Sequence, residues 1–279
     1  MRIQFKSKRA PFIQRSLILF SGLLLLGCIW ISCEPKETKE TSSEIPAEAL
    51  ASIALSVDQE AVTILKRGLG YLSGLDQFQV QTLNTYEDLL NNSIRVDYET
   101  SGYVTVDRPD KIRIERYGLE MHQLFYFDGN EFTLHNPYEK VYASEAHAGN
   151  IEEMFHLVRD TYGLSAPSAD LIYPNTFELL MQNVNGAKVI GKEMLGEIMC
   201  DHLLFTRPNV SFQIWISDSE PYLPRKYVVT DTSTSHLFSF STLMTNWNVL
   251  PQLSDSMFKY AQTDGTHKIM FMKTDQSSE

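Results

Sequence analysis

The chain predicts an α+β fold: a single curled antiparallel sheet, an unclosed half-barrel of about eleven strands, with amphipathic helices covering its concave face. Two observations carry the strands. Segments that alternate apolar and polar residues fill two runs, one before and one after a mid-chain pair of helical patterns, and within each run only turns separate them. A two-residue or three-residue turn leaves no room for a crossover helix, so the neighbours run antiparallel. The third observation is the helical patterns themselves, each apolar on one face. A sheet this long curls, and its concave face needs such a cover.

The N-terminus stands apart from this fold. Residues 1–15 carry Arg2, Lys6, Lys8, Arg9 and Arg15 and no acid, and an uncharged apolar run follows from Ser16 to Cys33. That is the layout of a secretory signal, although a run of this length also approaches what a membrane-spanning helix needs. Both "LLLGC" and "WISC" resemble the lipobox of bacterial lipoproteins, in which a lipidated cysteine becomes the new N-terminus. Cys33 has the better position, because the apolar run stops there; Cys28 is the alternative. The expected organisation is a signal over 1–33, a charged Ser/Thr-rich tether over 34–56 and a folded domain over 57–279.

Asp58 offers an N-cap, and Val62, Leu65, Leu69 and Leu72 share one face of a helix over 58–73. Strands are expected at 78–86, 94–108, 111–118, 121–127, 131–135 and 140–144, with "DGN" at 128–130 as a hairpin turn. Asn150 then caps a helix whose broad apolar face holds Ile151, Met154, Phe155, Val158 and Tyr162, closed by Gly163. "ADLIYPNTFELLMQNV" reads as a short helix, a break at Pro174 and a second helix. Strands resume at 186–195, 198–207, 211–218, 225–232, 236–247 and 267–273.

Charge excludes one class of partner. The whole chain carries −11, and without the five basic residues of the leader 19 Lys+Arg face 35 Asp+Glu, near −16. Phosphate backbones demand a basic stripe, so nucleic acid is not expected as a partner. After processing at Cys33 the only thiol is Cys200, which leaves no intrachain disulfide.

Candidate sites are few. "IMCDHLLF" (198–205) sets a thiol, a carboxylate and an imidazole side by side, but on a strand Asp201 faces away from Cys200 and His202. Cys200 and His202, two residues apart, stand roughly 6.5 to 7 Å from each other, too far for a nucleophile–base hydrogen bond. A packed strand is the expectation, with Cys200 turned to the interior. The histidines are scattered, no CxxC or HxxxH spacing suggests a metal, and there is neither a G-x-S-x-G elbow nor a phosphate loop. No cofactor is expected. The aromatic residues on the strands are more telling. Either they fill the concave face completely or they leave an apolar pocket there. The expected lining of such a pocket is Phe125, Phe127, Tyr142, Phe155, Cys200, Leu204, Trp215 and Phe238.

The strings "DRPDKIRIE", "YFDGNEFTLHNPYEKVYA", "SAPSADLIY", "CDHLLF", "QIWIS", "LPRKYVVT" and "NWN" together resemble a bacterial family of predicted periplasmic proteins catalogued as a domain of unknown function, from about Asp58 to Phe271. That family is similar in turn to the LolA-like lipoprotein carriers. The resemblance implies an unclosed half-barrel plugged by helices, the binding of acyl chains or lipidated partners or a role as an envelope-stress sensor, and no catalytic residues. The expectation is therefore a monomeric, non-enzymatic lipoprotein attached to a membrane on the periplasmic side, whose partner is an apolar ligand or a lipidated protein. A protein-interaction or stress-sensor module is the alternative, and an unrecognised hydrolase is the third reading.

Overall fold

The computed structural model describes residues 55–274, apart from Asn92, Glu120, Ser165 and Pro167. The leader, Cys28, Cys33 and most of the tether lie outside the described residues. Chain order runs α1 (Gln59–Ser73), β1 (Gln77–Leu90), β2 (Ile94–Asp107), β3 (Lys111–Gly118), β4 (Met121–Phe127), β5 (Glu131–Asn136) and β6 (Val141–Ala146). Then come α2 (Ile151–Tyr162), a 3-10 turn (Ala169–Leu171), α3 (Thr176–Met181), β7 (Gly186–Leu195), β8 (Ile198–Arg207), β9 (Val210–Ser217), β10 (Pro224–Asp231), β11 (Ser239–Asn248), a second 3-10 turn (Asp255–Phe258) and β12 (His267–Lys268).

The strands form one open, curled sheet in the order β12-β6-β5-β4-β3-β2-β1-β11-β10-β9-β8-β7. Two meanders, β1–β6 and β7–β11, meet where β1 pairs with β11. The ladders are antiparallel except for β12, which lies parallel to β6 through His267 and Lys268. This differs from the antiparallel expectation because residues 249–266 supply a crossover long enough for a parallel partner. Phe258 is buried on that crossover, and Tyr260 packs on Tyr126, His135 and Tyr142.

β6 and β7 lie far apart in the sheet, so the chain between them must cross one face of it. That crossing carries α2, the 3-10 turn and α3, and it forms the helical cover. Asn150 and Glu153 cap α2 reciprocally at 2.9 Å each, and Gly163 ends it in the left-handed conformation. Asp58 caps α1 through the Glu60 amide at 2.9 Å. α1 lies close against the sheet at Gly68, where a Cβ would be 2.7 Å from Ile216 Cδ1. Residues Ala54–Glu279 form one compact unit whose core joins Leu65 and Leu69 of α1, Met154 and Val158 of α2, Leu180 of α3 and Phe127, Phe132, Phe205, Phe212 and Ile214 of the sheet.

Candidate ligand-binding cavity

Strand alternation decides which side chains meet the helices. On β1 the even positions Phe78, Val80, Thr82, Asn84 and Tyr86 do so. Register carries this face outward to Val104 on β2, Ile114 and Arg116 on β3, and Thr242 and Met244 on β11. These residues, with Leu72 of α1, Phe155 of α2, Trp247 and a lid formed by Ala166, Ser168, Ala169, Leu171 and Ile172, line a cavity of ≈ 110 Å³ at the centre of the half-barrel.

The two ends of the cavity differ in chemistry. Phe78, Val80, Val104, Ile114, Met244 and Trp247 make one end apolar, with Phe78 and Trp247 rings 5.5 Å apart. A bulge in β11 turns Trp247 inward: Gln79 faces Asn248 while Gln81 faces Thr245, and Asn246 takes a φ of 51 within the gap. The indole then donates to the Pro224 carbonyl at 3.1 Å. The other end is polar. Asn84 is buried in register with Thr242 and donates to Thr82 Oγ1 and Thr100 Oγ1 at 3.3 Å each. Arg116, half-buried beside them, donates to the Tyr86 hydroxyl at 2.8 Å.

The lid segment is held on both sides. Arg108 donates through Nε to the Leu75 carbonyl at 3.0 Å and through Nη1 to the Ile172 carbonyl, and burial lowers its affinity for a proton. On the other side Tyr227 donates to Asp170 Oδ2 at 3.1 Å. Burial pushes the Asp170 carboxyl above its ordinary range, opposed by the Tyr227 hydrogen bond and the Arg207 charge; burial likewise raises the Tyr227 phenol. Ser168 lines the cavity with a left-handed φ of 67, and its hydroxyl is buried without a hydrogen-bond partner among the described residues.

Of the residues expected to line a pocket, Phe155 does so, and Phe125 and Phe127 lie on the same helix-bearing face in register with Ile114 and Ile112. Phe125 stacks between Phe132 and Phe155, with ring centroids 6.2 and 6.4 Å away. The other five are placed elsewhere. Cys200, Leu204 and Trp215 share the opposite, outer face, because Asp201 and Leu203 take the inner positions. Tyr142 pairs with His135 and packs on Tyr260, also on the outer face. Phe238 precedes β11, beside His236 and Arg95. Even positions face the helices on β1 but odd positions do on β8, so strand alternation by itself could not align the two meanders. Arg116, Asn84, Thr242 and the lid were not anticipated. Arg116 did leave a signal, a charge on the otherwise apolar row Ile112–Ile114 of "KIRIER".

The Cys-Asp-His string separates as strand geometry requires. Asp201 receives Arg67 at 3.3 Å under α1. His202 lies on the other face with its ring nitrogens 2.8 Å from Glu193 and 2.9 Å from Gln213, stacked 3.9 Å from Trp215. Cys200 is fully buried and its thiol is pushed up to about 11 by desolvation. Its burial agrees with expectation, but it faces away from the helices. Among the described residues no cysteine or serine side chain hydrogen-bonds an imidazole, and no cluster of His, Cys, Asp and Glu could hold a metal.

Fold and cavity together define an open half-barrel whose concave face holds a helix-covered pocket, apolar at one end and polar at the other. The family model described as "Predicted periplasmic protein (DUF2092)" matches residues 61–272, and the chain belongs to that family. No curated protein matches the chain. Among solved structures it is similar to LprF from Mycobacterium bovis, at 13% identity over 71% of this chain and 97% of that one, with a TM-score of 0.45. It is similar to the MucA/MucB complex of Pseudomonas aeruginosa at 13% identity, over 72% and 61% of the two chains, with a TM-score of 0.40. A LolA superfamily protein from Nitrosomonas europaea matches at 10% identity over 72% and 97%, with a TM-score of 0.32.

Proposed function

We propose that this is a lipid-anchored protein of the periplasmic side of the cell envelope that holds an apolar chain, either an acyl lipid or the lipid of a modified partner, without chemistry of its own. One observation carries the reading: the central cavity between β1–β3, β11 and the lid, whose apolar end is lined by Phe78, Val80, Val104, Ile114, Met244 and Trp247. Fixed apolar walls with a few polar groups at one end are what binding pockets for amphiphiles require. Family membership supports the compartment, and the cysteines that close the apolar leader support the anchor.

The test is to purify residues 54–279, extract them with organic solvent and weigh the extract by mass spectrometry. About one equivalent of acyl lipid is expected per chain, and its loss is expected in Ala169→Leu, which fills the cavity from the lid. A chain that carries no lipid and takes none up overturns the reading. For the anchor, Cys33→Ser is expected to move the full chain out of the membrane fraction, whereas release by Cys28→Ser alone would assign lipidation to Cys28.

A protein-interaction role is the second reading, favoured by exposed Leu90, Ile94 and Leu237 at the tips of the β1–β2 and β10–β11 hairpins. Crosslinking in cells separates the two, since one stoichiometric protein partner at these tips supports the second.

A further inference from the structure

The cavity's polar end allows its ligand to be named more narrowly. Arg116 is the cation in the cavity wall. It extends a row that begins with Ile112 and Ile114, so its guanidinium faces the helix-bearing side of the sheet rather than the open outer face. Its hydrogen-bond partner is the Tyr86 hydroxyl, 2.8 Å away, and its charge lies 5.8 Å from the Tyr86 ring centre. Both are neutral. Among the described residues no carboxylate lies within ion-pair distance of it, although Arg67, Arg95 and Arg113 each have one. A guanidinium presents five donors, of which this one commits few. Leaving a half-buried charge unpaired beside an apolar cavity is costly unless something else supplies the anion.

The surroundings supply further polar groups for such an anion. In register with Arg116 stands Gly102, where a Cβ would come within 2.6 Å of Thr82 Oγ1 and 3.2 Å of the Glu115 carbonyl. The glycine therefore lets the Thr82 hydroxyl pack directly on the β2 backbone. Thr82, Thr242 and the Ser168 hydroxyl, which has no partner among the described residues, line the same cavity and add neutral donors. Register sets Arg116 opposite Gly102 and Thr82, four residues of β1 and roughly 13 Å of strand from Phe78. A charged head at Arg116 thus leaves an apolar path past Val80 toward Phe78 and Trp247 for a tail.

We propose that the cavity binds an anionic amphiphile, a carboxylate or phosphate head on an acyl chain, with the head held by Arg116 and the tail laid against Phe78, Val80 and Trp247. This rests on reading the cavity as a site for an apolar chain and adds the charge of the ligand and its direction. The two head groups share the chemistry a guanidinium recognises, two or more anionic oxygens in one plane.

The experiment compares palmitic acid, its methyl ester, the corresponding alcohol and lysophosphatidic acid as competitors for a fluorescent fatty-acid probe on the domain of residues 54–279. That unit contains the core described above. Palmitic acid is expected to bind about tenfold or more tightly than the ester or the alcohol, as a charge-assisted hydrogen bond predicts. In Arg116→Gln the acid and the ester are expected to converge, while Arg116→Lys keeps part of the preference because it keeps the charge but loses the fork. Lysophosphatidic acid bound more tightly than palmitic acid assigns the head to phosphate, and the reverse assigns it to carboxylate. Equal binding of acid and ester to the wild-type chain overturns the anionic head while leaving the apolar-chain reading intact. Binding of none of the four overturns both. The wild-type comparison stands even if Arg116→Gln does not fold, and a preference that survives in Arg116→Gln overturns the role of Arg116.

Discussion

The wing of the sheet under α1 and the centre of the sheet under the lid share one face but are packed to different ends. Beneath α1, Leu65, Leu69, Leu203 and Ile214 are completely buried, and the helix comes so close at Gly68 that a single methyl would strike Ile216. Beneath the lid, Leu72 from the same helix borders a cavity, and the cover is a 3-10 turn held by two side-chain anchors, Arg108 and Tyr227. The wing supplies the stability of the fold, and the centre uses part of that stability to keep a space open. One helix serves both: its first three turns fill and its last turn lines.

Substitutions along α1 test this contrast most strongly. Leu69→Ala removes a side chain from a filled region and is expected to cost about 4 kcal/mol in a denaturant melt. Leu72→Ala, one turn on, enlarges a cavity that already exists and is expected to cost about 2 kcal/mol. Equal losses would mean that both regions are packed alike. Gly68→Ala is expected to cost about 1 to 3 kcal/mol through overpacking against Ile216.

The lid anchors come next. Tyr227→Phe leaves the buried Asp170 without its side-chain donor and is expected to cost about 1 to 3 kcal/mol. Because Asp170 is harder to ionise in the fold than in the open chain, its contribution is whole below the ordinary carboxylate value of about 3.9 and is lost as pH rises through the raised one. Wild type should therefore lose stability relative to Asp170→Asn as pH climbs from acid toward neutral. A constant difference between the two across that range would remove Asp170 as an anchor that titrates. The smallest stability effect is expected from Ala169→Leu, within about 1 kcal/mol of wild type, while ligand is lost. On the outer face, Cys200 should react with a thiol reagent only as fast as the domain opens, since burial holds its thiol at about 11. Rapid labelling would place it outside the packed sheet.

Much of the fold was legible in local patterns. Asp58 and Asn150 cap the helices they were expected to cap, and the Asp-Gly pair at 128–129 closes the β4–β5 hairpin. What could not be read was long-range. The two-residue β12 pairs with β6 only because a long crossover brings it there, and that crossover has no periodicity of its own. The cavity lining was half legible: aromatic residues mark strands, but the face each one takes on its strand depends on how β1 meets β11, a pairing of residues more than 150 positions apart. Cys200, Leu204 and Trp215 fell on the wrong side for this reason. Trp247 reaches the cavity through a bulge that strand alternation cannot anticipate.

The two tryptophans of the domain allow the most direct test. Trp247 lines the cavity, and Trp215 lies on the outer face, stacked on His202. In Trp215→Phe, titration with palmitic acid is expected to change the emission of Trp247 saturably at one equivalent. In Trp247→Phe, the same titration should leave Trp215 unchanged. A silent Trp247, or equal changes at both tryptophans, would contradict a binding site on the helix-bearing face.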